Sequence, residues 1–82
     1  MVDISYVRDL IYRSQVREYF DPGKAHAGYE KAERMLDMYL LEMGIRRTGQ
    51  MSFSPDSDLV QQFLPYYEQI MEGYRRLTEK KA

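Results

Sequence analysis

At 82 residues with no cysteine, the chain is sized for one domain, which buries only about 60% of its unfolded surface and has no disulfide to support it. Twelve basic against thirteen acidic residues, a formal net charge of −1 and a pI near 5.8 exclude a strongly basic nucleic-acid binder and leave room only for a local basic patch. No run approaches the roughly 18 apolar residues of a membrane span, and Met1-Val2-Asp3-Ile4 lacks the layout of a signal peptide, so the sequence points to a cytoplasmic protein with no membrane partner.

A first helix is predicted over residues 3–20, opened by Asp3 as an N-cap whose carboxylate accepts backbone N–H bonds. Ile4, Val7, Leu10, Ile11 and Ser14 share one face at helical spacing. Ser14, being small, lets another helix come close. Tyr12, Val16, Tyr19 and Phe20 form a second stripe on a different side. A three-helix monomer needs one apolar face per helix, so this stripe calls for a partner. The alternative is that Tyr19 and Phe20 turn inward as the helix ends.

Asp21-Pro22-Gly23 breaks the chain. Pro22 disfavours α geometry at Asp21 and suits the first position of a new helix, which makes Asp21 its N-cap. So short a connection gives antiparallel neighbours. The second helix, residues 22–43, carries an inner face graded from Ala25, Gly28 and Ala32 to Leu36, Tyr39, Leu40 and Met43. Its small start is expected to sit against the bulky end of the first helix. Met43-Gly44-Ile45 reads as a Schellman stop, with Gly44 left-handed and Ile45 folding back. His26, Glu30, Glu33 and Asp37 line another side at i, i+4, i+7 and i+11. Such a row is a solvated face, a docking surface for a basic partner or, at a stretch, a metal site between two copies. Met38 and Leu41 lie off the inner face and form an outer apolar spot.

Residues 45–53 are the one long irregular segment. Arg46, Arg47 and Thr48 combine two guanidinium groups and a hydroxyl beside a helix end, a set suited to an anionic or nucleotide-like ligand. Paired arginines also arise from the charge preference of helix C-termini. Ser54 and Pro55 read as N-cap and first residue of a third helix, residues 55–79. Leu59, Val60, Phe63, Tyr67, Ile70, Met71, Tyr74 and Leu77 keep one phase across Pro65. That phase predicts one helix kinked at Pro65 rather than two.

Catalytic constellations are scarce. Without cysteine and with His26 as the single histidine, nothing places a serine beside a base, and no Walker or dinucleotide glycine pattern occurs. A DNA-reading helix-turn-helix is disfavoured because the second helix presents an acidic surface.

The sequence thus predicts a single all-α domain over residues 1–82, a three-helix up-down bundle completed by oligomerisation. The expected function is that of a non-enzymatic protein-interaction module of the regulator or inhibitor type, binding itself or another protein and needing no cofactor. Tyr12, Val16, Tyr19, Phe20, Met38 and Leu41 are its candidate interface. The alternative is an anion binder built on Arg46, Arg47 and Thr48.

Overall fold

A computed structural model describes residues 4–80. Its elements are α1 (Ile4–Arg17), α2 (Pro22–Glu42), β1 (Arg46–Arg47), β2 (Phe53–Ser54) and α3 (Asp58–Lys80). The chain is an all-α three-helix bundle to which a two-stranded hairpin is added. The Asp3 cap lies outside the described residues. With 21 and 23 residues, α2 and α3 are each about 32 to 35 Å long and set the 37 Å long axis of the molecule.

The helical faces pack as their spacing predicts. Val7, Ile11 and Ser14 of α1, Ala25, Tyr29, Ala32, Leu36 and Leu40 of α2, and Val60, Phe63, Tyr67, Ile70 and Leu77 of α3 are buried. Each fully buried Leu or Ile contributes about 1.5 to 3 kcal/mol relative to exposure. The small residues set how closely the helices approach. A Cβ on Gly28 would lie 2.1 Å from Ser14 Oγ, and one on Gly73 would lie 2.3 Å from Cζ of the buried Tyr29. The start of α2 therefore touches α1 at Ser14, and α3 touches α2 at Gly73. Tyr39 stacks edge-on against Phe63, ring centroids 5.1 Å apart, where the core widens.

The helix signals hold at two of the boundaries. Asp21 Oδ1 accepts from Lys24 N at 3.2 Å, with Pro22 in the first turn. At the other end of α2, Gly44 has φ +80°, Ile45 N donates to Leu40 O at 2.8 Å and Gly44 N to Leu41 O at 3.0 Å. That is the double bond of the Schellman motif, and Ile45 is buried behind it. α3 runs unbroken through Pro65, which sits on the exposed side, where a missing N–H costs least.

Four expectations are corrected. α1 stops at Arg17 rather than residue 20, because the chain tightens through bonds from Tyr19 N to Val16 O and Phe20 N to Arg17 O, which turn it into the Asp21 cap. Tyr19 and Phe20 stay outside, 85% and 71% exposed. Met43 falls past the last helical residue and is exposed rather than part of the inner face. The 45–53 segment is not irregular throughout, since Arg46 pairs with Ser54 and Arg47 with Phe53 in an antiparallel ladder, and Thr48 N donates to Ser52 O at 2.8 Å. Because Ser54 belongs to that ladder, it does not cap α3. The helix begins at Asp58 instead, and Ser57 O accepts from Val60 N and Gln61 N.

Candidate functional site

The two-residue period of β1 decides the fate of the paired arginines. Arg46 points to solvent, and Arg47 turns under the hairpin toward α2 and α3. There its Nε donates to Asp37 Oδ1 at 2.7 Å and its Nη2 to Asp37 Oδ2 at 2.9 Å, a bidentate fork. Nη2 also reaches Glu33 Oε2, and Nη1 donates to Gln50 O at 3.2 Å. The guanidinium lies 5.0 Å from the Tyr67 ring centroid. Tyr67 Oη donates to Asp37 at 2.7 Å and Tyr74 Oη to Glu33 at 2.8 Å.

The acidic row of α2 thus meets a basic partner from its own chain. Burial alone pushes the Arg47 guanidinium down, but its bonds to Asp37 and Glu33 outweigh that and raise it. Burial first, then the carboxylates they donate to, push the Tyr67 and Tyr74 phenols up. An anionic ligand would have to displace two carboxylates that already surround Arg47. Thr48 and Arg46 remain exposed, and a groove of about 520 Å³ beside the hairpin loop is lined by Gln50, Met71, Tyr74 and Arg75 rather than by the paired arginines. The same clamp occupies the positions a shared metal would need. At the other end of the row, His26 Nδ1 stands 3.2 Å from Glu30 at the surface, and its ring leans on Tyr74 with centroids 5.1 Å apart.

A second cluster lies where the three helices meet. Glu18, just past α1, is 5% exposed. It accepts from Arg76 Nε at 2.9 Å, from Arg76 Nη2 at 3.0 Å and from Tyr29 Oη. Burial, then the Glu18 carboxylate, raise the Tyr29 phenol, and the bond to Glu18 raises Arg76. A buried carboxylate is tolerated because α2 and α3 supply its donors, Tyr29 and Arg76. Sequence reasoning missed Glu18, and the signal was there. Ile4, Val7, Ile11 and Ser14 continue at helical spacing to position 18, where an acid on the inner stripe calls for a buried cation.

Over this cluster opens a groove of about 400 Å³, lined by Tyr12, Gln15, Val16, Tyr19, Glu18 and Arg76. The structure therefore brings Tyr12, Val16 and Tyr19 together around the Arg76 guanidinium, whose side chain is 39% exposed. Phe20 adds exposed ring surface next to Tyr19. Met38 and Leu41 are exposed as well, but they come 16 to 19 residues after Pro22, about 25 Å along α2. They belong to the far end of the molecule, and the six candidate interface residues do not form one surface.

Among the described residues no helix is long and apolar enough to cross a membrane. No protein-family model, curated protein or solved structure matches the chain.

Proposed function

We propose that this is a non-enzymatic, small helical protein-interaction module of the regulator or inhibitor type, and that it acts through the outer face of α1. The observation that carries the reading is exposure. Tyr12, Val16, Tyr19 and Phe20 are 65%, 41%, 85% and 71% exposed at the end of α1 and in the turn that follows it, and the first three line a groove together with Glu18 and Arg76. Tyr and Arg dominate the centres of binding surfaces, because rigid rings give area at low entropic cost and guanidinium groups add directed donors. The internal commitment of Arg47 leaves the anion-binding alternative without a specific observation in its favour.

Self-association through this face would bring Arg8, Arg13 and Arg17 of two copies together, so the charge pattern favours a foreign partner. Met38 and Leu41 offer a second, smaller spot for a copy of the chain or for the same partner.

The test is site-specific photocrosslinking in the source cells. A benzophenone side chain at position 12 or 19 is expected to yield one discrete adduct, while the same group at the exposed position 62 on α3 yields none. Equal adducts from all three positions, or none from 12 and 19, would refute the reading. Sedimentation velocity across a wide concentration range reports separately whether the partner is a second copy.

A further inference from the structure

We infer that the partner fitted by this face is an acidic protein segment, one of whose carboxylates seats on Arg76 between Tyr12 and Tyr19. The inference rests on the interaction reading above and adds the chemistry of the partner.

Charge is unevenly divided among the helices. α1 holds Arg8, Arg13 and Arg17 against Asp9, whereas α2 and α3 each hold three basic residues against four acidic ones. A chain of net charge −1 thus concentrates positive charge on the element that also exposes its aromatic side chains. Arg8, Tyr12 and Val16 succeed one another at i, i+4 and i+8 along one ridge. Arg8, Arg13 and Arg17 enter no ion pair among the described residues. Their field is therefore available to steer a negatively charged partner.

The seat itself is Arg76. Nε and Nη2 are spent on Glu18, so Arg76 and the buried carboxylate form a neutral pair. The attraction for an anion comes from the α1 arginines, while Arg76 supplies a directed donor. Nη1 lies 4.0 Å from Glu72 Oε2, with that side chain 57% exposed. An exposed pair at that distance contributes little, and a partner carboxylate can share or replace it. Tyr12 and Tyr19 flank the seat with apolar rings that exclude water from the new ion pair, and their hydroxyls keep a polar edge at the rim.

Two other occupants fit less well. A second copy would have to offer acids other than Glu33 and Asp37, the centre of the α2 row, because Arg47 holds both. Nucleic-acid affinity comes from neutralising many phosphates with Lys and Arg, and three arginines interrupted by Asp9 supply few.

The probe is a glutamate-rich glutamate–tyrosine copolymer, compared with a glutamine–tyrosine copolymer and with oligothymidylate, read by fluorescence anisotropy and amide chemical shifts. The acidic copolymer alone is expected to bind, more weakly as salt rises, with shifts confined to α1 and the last turns of α3. Tyr12→Ser/Tyr19→Ser and Arg8→Gln/Arg13→Gln, all at exposed positions, are each expected to weaken it about tenfold or more with unchanged thermal melts. Glu72→Gln, which frees Nη1, is expected to tighten it more than Glu68→Gln does on the same helix. Tighter binding of oligothymidylate, shifts elsewhere, or affinity indifferent to these variants overturns the proposal.

Competition separates the two readings. If a partner crosslinked from position 19 is not displaced by excess acidic copolymer, the acidic chemistry is wrong and the interaction face stands. If no adduct forms, both fall.

Discussion

Replacing Arg47 by methionine keeps an unbranched apolar side chain and removes the guanidinium that lies over Tyr67 and joins α2 to the hairpin. Four hydrogen bonds disappear, three of them to carboxylates. Removing one partner of a fully buried pair costs about 3 to 5 kcal/mol. Here the carboxylates are partly wet, with Glu33 and Asp37 side chains 21% and 36% exposed, and Tyr74 and Tyr67 still donate to them. We therefore expect a loss of about 2 to 3 kcal/mol. With an unfolding entropy of about 2.1 cal/mol/K per residue, each kcal/mol shifts the midpoint of a chain this size by roughly 6 °C, so Tm should drop by about 12 to 18 °C. Urea titration followed by circular dichroism measures the free energy, and calorimetry measures Tm. Arg46→Met, one residue away on the outer side of the same strand, is expected to change stability by under about 0.5 kcal/mol. If Arg47→Met is equally silent, or if Arg46→Met costs as much, the clamp does not hold the hairpin down.

Gly28→Ala should destabilise by about 1 to 2 kcal/mol, since overpacking against Ser14 Oγ outweighs the roughly 1 kcal/mol of helix propensity gained. Adding Ser14→Ala, which leaves ordinary contacts of 3.4 Å to its Cβ and 3.8 Å to Leu10 Cδ1, should recover most of that loss; a double mutant no better than the sum of the singles in denaturant melts would show that the two helices do not meet there. Alkali should also unfold the protein. The Tyr29, Tyr67 and Tyr74 phenols are raised in the fold, so the stability they contribute is fully present below pH of about 10 and is lost as pH rises beyond it, with a slope of up to about 4 kcal/mol per pH unit for three protons. The phenolate absorbance of three of the eight tyrosines should appear together with the loss of helical ellipticity in one cooperative step; ionisation of all eight with the helices intact would refute the hydrogen-bonded clusters.

The three helices, their inward faces, the Asp21 cap and the Gly44 stop were legible in the sequence because each depends on residues within a turn or two of one another. A 3.6-residue period, a capping carboxylate and a left-handed glycine act locally, whatever the chain does elsewhere. The close approach at Gly28 and Ser14 was legible in part, since a small residue on each inward face announces it. The small start of α2 meets Ser14 rather than the bulky end of the first helix, because Tyr19 and Phe20 stay outside. Tertiary structure alone decided the polar chemistry. Arg76 and Glu18 stand 58 residues apart and Tyr74 and Glu33 stand 41 apart, and no local pattern says which charge a folded chain will bring to which. For that reason a row read as an open acidic face is closed by Arg47, and a loop read as an anion site is a strand pair whose inner arginine is already engaged. The start of α3 moved from residue 55 to Asp58 on the same ground, because pairing with Arg46 claimed Ser54 before it could cap a helix. The stripe of Tyr12, Val16 and Tyr19 was visible in the sequence as apolar surface without a partner, and it took the fold to set it around Arg76, where exposed aromatic rings become the walls of a charged groove.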